Sequence, residues 1–88
     1  MKVFLISYDL KKPGRNYDDL YKKIKSFGKW YHCLESVWII KTSSTLQKVS
    51  DELVNQIDDN DRLLVVEIKN NYSGWMPRKF WNWMRDLF

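Results

Sequence analysis

Cysteine and histidine are almost absent from this sequence of 88 residues, which contains only Cys33 and His32. One cysteine excludes a disulfide within the chain, and these two residues are too few for a zinc site made of cysteine and histidine alone. Because neighbouring residues of a strand point to opposite faces, we do not expect His32 and Cys33 to form a catalytic pair. These shortages fit a reducing compartment, and we expect the protein in the cytoplasm.

Long apolar runs, glycine and proline are also scarce. No apolar run approaches the roughly 18 residues of a membrane-spanning helix, and the N-terminus lacks the apolar stretch and cleavage site of a signal peptide. The chain has 3 glycines and 2 prolines, with no internal repeat or low-complexity segment. We therefore expect one globular domain and no membrane partner. The core of such a small domain is modest, so a second copy of the chain would help to stabilise it.

The net charge of +4 is unevenly distributed along the chain. Residues 1–29 hold eight Lys or Arg against three Asp, residues 30–68 hold three basic against seven acidic residues, and residues 69–88 hold four basic residues against Asp86. Basic ends around an acidic middle indicate a polyanionic partner such as nucleic acid. An ordinary solvated surface would show the same balance, so this alternative stays open.

The unbroken apolar run Val3-Phe4-Leu5-Ile6 predicts a strand over residues 2–9 at the centre of a sheet, covered on both faces. The strand ends at Asp9, where sheets of α/β type tend to place functional groups. A loop at 10–16 follows, containing Lys11, Lys12 and Arg15 beside Pro13-Gly14. Its sequence does not match a P-loop, but a basic, glycine-containing loop can lie against phosphate.

The remaining periodicity predicts a helix, two strands, a second helix and a last strand, whose apolar run is again typical of a strand buried on both faces. The predicted bounds are 17–27, 29–34, 36–42, 45–57 and 62–69, and one long bent strand is the alternative to the two at 29–34 and 36–42. Asn16 is the predicted cap of the first helix, and Ser44-Thr-Leu-Gln47 is a capping box for the second. We expect Leu46, Val49, Leu53 and Ile57 to form the buried stripe of the second helix. The order βαββαβ predicts an α+β fold, the ferredoxin-like sandwich, with two helices on one face of a four-stranded antiparallel sheet.

Residues 1–69 would form that domain, and residues 70–88 an aromatic and basic extension. Pro77 can open a helix, and six of the fourteen aromatic residues lie in 72–88. A short helix is marginal alone, so we expect it to pack on the open face of the sheet, in the same chain or in a partner. The expected packing or dimer residues are Trp75, Phe80, Trp81 and Met84. Two alternatives are a nucleic-acid surface using Arg78 and Lys79 and a helix on a membrane surface.

Several short segments, in this order and spacing, are similar to one protein family. They are Ser7-Tyr8-Asp9, the basic loop, Gly28, Leu34-Glu35-Ser36-Val37-Trp38-Ile39-Ile40 and Asp61-Arg62-Leu63-Leu64-Val65. Over residues 1–68 the chain resembles the small CRISPR-associated ferredoxin-like proteins that scaffold spacer integration, and most of all their stand-alone SinR-like relatives. The aromatic tail after Gly74 has no counterpart in that family.

The resemblance implies a homodimer that acts on nucleic acid in a bacterial or phage defence system. Some family members are divalent-metal-dependent nucleases, and these carry an acid at the end of the first strand, which corresponds to Asp9. In a dimer the two acids would face each other and share Mg²⁺ or Mn²⁺, which needs only one or two protein carboxylates. Tyr8 would orient a phosphate, and Lys11, Lys12 and Arg15 would hold the backbone of RNA or DNA.

Each candidate residue also has a structural interpretation. Asp9 would cap a turn through its side chain, Tyr8 would belong to the core or an interface, and the basic loop would be solvated. The corresponding alternative function is a non-catalytic dimeric module, binding nucleic acid or another protein of a defence or anti-defence system.

Overall fold

The sheet of the computed structural model, which describes residues 1–11 and 16–88, has four antiparallel strands in the order β2-β3-β1-β4. The strands are β1 (Lys2–Asp9), β2 (Lys29–Leu34), β3 (Val37–Thr42) and β4 (Arg62–Glu67), and the helices are α1 (Asp18–Lys25), α2 (Leu46–Val54) and α3 (Arg78–Arg85). Together with the order of the elements, this topology confirms the predicted ferredoxin-like α+β sandwich. None of the helices described is long and apolar enough to cross a membrane.

The alternating side chains of β1 enter two separate apolar clusters. Phe4, Ile6 and Tyr8 point toward α1 and α2, whereas Val3 and Leu5 point to the opposite face. Strand β1 lies between β3 and β4 and is therefore a central strand, as predicted. The two apolar clusters cover its apolar run on both faces. This position places Asp9 at the end of a central strand, on the same face as Val3.

The helix layer rests on one buried stripe from each helix. Leu20 and Ile24 of α1 and Val49 and Leu53 of α2 are inaccessible to solvent. Burying one such side chain contributes about 1.5–3 kcal/mol, more than the differences of up to about 1 kcal/mol in helix propensity among residues other than proline. These four contacts therefore fix both helices on the sheet.

Helix α3 covers part of the opposite face of the sheet within the same chain. Phe80, Met84 and Leu87 pack against Val3 and Ile39 and are at least nine-tenths buried. The Lys41 ammonium also donates to the carbonyl oxygen of Leu87 at 2.6 Å. The tail was expected to pack on the sheet of the same chain or of a partner, and in the structure it packs on the sheet of its own chain. Helices α1 and α2 therefore cover one face of the sheet, and α3 covers part of the other.

The helix caps differ from the predicted ones by one residue. The cap of α2 is Thr45, whose hydroxyl accepts from the Lys48 N–H at 3.1 Å, so Ser44 was the wrong residue of an adjacent Ser-Thr pair. Tyr17 occupies the cap position of α1 without a side-chain bond, while the Asn16 amide oxygen accepts from the Asp18 N–H at 2.8 Å. Both helices are also shorter than predicted, since their last turns are non-helical.

Two predictions of burial were wrong. Strand β4 is an edge strand and leaves Leu64 and Val66 exposed, although its apolar run resembles a strand buried on both faces. Leu46 was assigned to the buried stripe of α2 and is also exposed, because it lies in the first turn of the helix, beyond the core.

Gly28 joins α1 to β2 at a place where no side chain fits. Its φ of 148° lies in a region that other residues rarely adopt, and a Cβ atom there would lie 2.4 Å from the Lys41 carbonyl oxygen. This close approach lets β2 start its pairing with β3 directly after the helix.

Candidate functional site

The Asp9 carboxylate lies at the end of β1, in a shallow depression of about 250 Å³. Its side chain is 64% exposed, and one carboxylate oxygen lies 2.6 Å from the Lys11 ammonium. Arg62 faces Asp9 across the β1–β4 pair, but its guanidinium donates to the carbonyl oxygens of Asp59 and Asp61. The site thus presents one accessible carboxylate and two cations next to it.

Asp61 fixes the chain around this site and is the functional side chain that sequence reasoning missed. It is 4% exposed. One of its oxygens accepts from the Lys11 N–H at 2.8 Å, the other accepts from the Asp58 N–H at 2.9 Å, and the Tyr17 hydroxyl donates to both. A buried carboxylate needs such donors to offset its lost hydration. Because Asp61 holds the backbone of Lys11, it sets where the Lys11 ammonium meets Asp9.

These donors also change the acidity of Asp61. The backbone N–H groups of Lys11 and Asp58, followed by the Tyr17 hydroxyl, lower the pKa of the Asp61 carboxyl, and burial opposes them only in part. Donors aimed at a carboxylate favour its charged form. Asp61 is therefore ionised in the folded protein at neutral pH and contributes to the fold as an anion.

Tyr8 lies on the other face of β1 from Asp9, inside the helix-side cluster. Its hydroxyl accepts from the Trp38 indole N–H at 2.9 Å and donates to the Glu35 carbonyl oxygen at 3.3 Å. Burial raises the pKa of Tyr8 to about 12. These contacts give Tyr8 a structural role, and they direct its hydroxyl away from a phosphate bound at Asp9.

The predicted basic residues do not form one cluster around Asp9. Lys11 is in contact with it, while Lys12 and Arg15 lie outside the described residues. Arg78 and Lys79 belong to the first turn of α3, and Arg78 lines a different groove from the depression at Asp9. Of the described residues expected at the Asp9 site, the structure brings Asp9 and Lys11 together, and it places Arg78 and Lys79 on a separate surface.

The half of the sheet face next to Asp9 is not covered by α3. It exposes Leu34 of β2 and Leu64 and Val66 of β4. This open half continues into an apolar cavity of about 420 Å³ between the sheet and the segment 69–76, whose walls include Leu34 and Val37. Trp75, at the rim of the cavity, is fully exposed, whereas the other expected packing residues are buried or partly buried.

Residues 1–11 and 16–88 of one chain do not supply a complete metal site. The described residues contain no group of three or more His, Cys, Asp or Glu side chains that could hold an ion. Asp9 is a suitable hard oxygen ligand, and Mg²⁺ accepts one or two carboxylates when water and phosphate complete its shell. A second copy of Asp9 would bring the number of carboxylates to two, so the residues fit a shared ion better than an ion held by one chain.

Comparison with known proteins supports the fold. No family model matches the chain, and no curated protein matches it. The crystal structure of a hypothetical protein from Thermus thermophilus is similar, with a TM-score of 0.63 and 19% identity over 86% of this chain and 94% of that one. At this identity the likeness concerns the architecture, which is the ferredoxin-like sandwich of the present chain.

Proposed function

We propose that the protein acts on nucleic acid as a dimer, in the manner of the small CRISPR-associated ferredoxin-like proteins. In this proposal it is a divalent-metal-dependent endonuclease in which each chain contributes Asp9. The observation that carries the proposal is the exposed Asp9 carboxylate on the half of the sheet face that α3 leaves open. The site combines an accessible acid, which is a suitable ligand for a divalent cation, with a neighbouring ammonium that can contact phosphate.

The apolar residues near Asp9 support the dimer. Three exposed apolar side chains lie on or beside this open half, namely Leu34, Leu64 and Val66. Removal of such apolar surface from water is favourable. A second copy seated there would bury them by a twofold contact between identical surfaces, the commonest symmetry of small oligomers. Such a contact would also bring the two Asp9 side chains toward one axis.

In the dimer, each side chain would have one role. The two Asp9 carboxylates would hold Mg²⁺ or Mn²⁺, which supplies charge stabilisation at the scissile phosphate and an activated water. The metal would neutralise the Asp9 carboxylate, so the Lys11 ammonium would no longer be held there. It would then contact a neighbouring phosphate. Asp61 would act as a positioning residue, because it holds the backbone of Lys11.

A non-catalytic nucleic-acid or protein-binding module is a second candidate, favoured by one observation. The 2.6 Å ion pair satisfies Asp9 within the chain, without a metal. In that case the same surface would bind a partner in a defence or anti-defence system and leave it intact.

Cleavage assays with matched variants separate these functions. The wild type, Asp9→Asn and Asp59→Asn would be incubated with single-stranded RNA and double-stranded DNA, in Mg²⁺, Mn²⁺ or a chelator. We expect metal-dependent cleavage that Asp9→Asn lowers at least about 10-fold, since even the loss of a residue that only orients a metal ligand typically costs about 10- to 100-fold. Asp59→Asn makes the same chemical change at an exposed turn and should cleave normally.

Cleavage at the same rate by the wild type and Asp9→Asn would show that the activity comes from elsewhere and would overturn the nuclease proposal. Absence of cleavage together with salt-sensitive binding would support the non-catalytic module instead.

A further inference from the structure

The outer side of α3 forms a groove that the proposed function does not use. Arg78, Trp81, Asn82 and Arg85 follow one another at helical spacing, and with Tyr72 they line a groove of about 670 Å³. Residues three and four apart share one side of a helix, and the opposite side, with Phe80 and Met84, is buried on the sheet. The groove is therefore held in place by the same helix that closes the sheet face.

The aromatic rings of the groove are held in fixed positions. The Trp81 indole N–H donates to the Met76 carbonyl oxygen at 3.0 Å, and its ring lies edge-on to Phe80. The Tyr72 ring is nearly parallel to Trp81, at 9° and 6.1 Å between centroids, and it also stacks with Phe88 at 6.1 Å. Tyr72 is 37% exposed and Phe88 48%, so this aromatic stack reaches solvent.

The two arginines have no acidic partner among the residues described. Arg85 donates to the Asn82 amide oxygen, and neither guanidinium forms an ion pair with a carboxylate there. They lie seven residues apart on one side of α3, about two helical turns or roughly 10 Å. Two unneutralised guanidinium groups beside exposed rings present a surface complementary to phosphate groups joined to flat, apolar rings.

We propose that this groove binds single-stranded nucleic acid. Arg78 and Arg85 would contact successive phosphates, and the exposed rings of the stack, led by Tyr72, would support an unpaired base. Base–aromatic stacking requires an accessible base face, which duplexes offer only at their ends, so the groove selects single strands. The inference deepens the proposed function and depends on it only for the class of ligand, because the groove is separate from the depression at Asp9.

The test measures binding of a fluorescent single-stranded oligonucleotide of roughly 12 nucleotides, within the usual site size of such proteins. RNA and DNA strands and a duplex of equal length would be compared by anisotropy in a chelator. All proteins would carry Asp9→Asn, so that cleavage does not interfere. The variants are Tyr72→Ala and the double change Arg78→Gln and Arg85→Gln. The charge-matched control is Lys22→Gln with Lys48→Gln, which removes two exposed cations from α1 and α2.

We expect Tyr72→Ala to weaken single-strand binding about fivefold or more, as loss of one base stack does. The double arginine variant should reduce the slope of log K against log salt by about 1.4, the value for two phosphate contacts on a single strand. The lysine control should keep at least most of the affinity, and circular dichroism should show all variants folded.

Three results would overturn the inference. One is equal binding by the groove variants and by the Asp9→Asn protein with an unchanged groove. Another is equal or tighter binding of the duplex, and the third is binding of anionic vesicles without binding of oligonucleotides. If groove-dependent binding is found while Asp9 supports no cleavage, only the nuclease proposal fails. If Asp9-dependent cleavage persists when the groove is altered and binding is unchanged, only the groove assignment fails.

Discussion

At the scale of single residues, the chain around Asp9 is held by a buried acid, Asp61. Asp61 accepts from the nearby position 58 and also from positions 11 and 17, which lie far from it in the sequence. Nothing in the local pattern Asp58-Asp-Asn-Asp61 tells which of the three acids turns inward. Asp9, by contrast, could be selected from sequence, because it ends an unmistakable apolar strand.

Replacement of Asp61 by Asn should lower the melting temperature at neutral pH. Only the oxygen of an amide accepts hydrogen bonds, so some of the donors around Asp61 would lose their acceptor. The pKa of Asp61 is lowered in the folded protein, so its stabilisation is fully present above the unfolded pKa of about 4. This stabilisation is lost as the pH falls through the pKa that Asp61 has in the folded protein. The difference in melting temperature between the wild type and Asp61→Asn should therefore shrink when melts at pH 7 are repeated at pH 3.

The exposed neighbour Asp59 provides the control, and Asp59→Asn should melt like the wild type at both values. A deficit of Asp61→Asn that stays the same at pH 3 and pH 7 would show that its charge is not what stabilises the fold.

At the scale of elements, α3 carries apolar side chains on its inner side and cations on its outer side. The tail was predicted to pack on the open face of the sheet, and Phe80 and Met84 do so. The sequence could not predict that Tyr72 and Phe88 would stack beside Trp81, because that requires the chain on both sides of α3 to fold back. The aromatic composition of the tail indicated that it would pack, but it did not indicate how the rings would be arranged.

Met84→Ala tests how strongly α3 holds to the sheet. Met84 is 1% exposed, and removal of a buried methionine side chain typically costs about 2–5 kcal/mol of unfolding free energy. We expect a loss in this range from urea unfolding followed by fluorescence. Trp75 is fully exposed, so Trp75→Ala should change the stability by no more than about 0.5 kcal/mol. Similar losses for both variants would contradict the observed orientation of α3.

At the scale of the whole molecule, the fold was largely predictable and the surface was not. The order of the elements follows from apolar periodicity, and the strand bounds of β1 and β2 were predicted to the residue. The exposure of Leu64 and Val66 could not be predicted, because an apolar run has the same appearance in an edge strand and in a central strand. What the sheet leaves uncovered is decided by strand order and by α3.

Leu64→Arg tests the proposed dimer. Leu64 is 62% exposed in the single chain, so the change should leave the stability of the monomer within about 0.5 kcal/mol. In the dimer it would bury an unpaired cation, and we expect sedimentation to shift from dimer to monomer. Val54→Arg, at an exposed apolar residue of α2 on the opposite side, should remain dimeric. A wild type that sediments as a monomer at every concentration would exclude the dimer.

The partial cover provided by α3 also limits how copies of the chain can assemble. Since one half of the sheet face is already closed by the chain's own helix, a partner docking by this face has only the other half available. When two copies share that half, the contact satisfies both at once and leaves no equivalent apolar surface for a third. A pair of this kind is self-limiting, and α3 would then act as a stop that favours a closed pair over a growing stack of sheets.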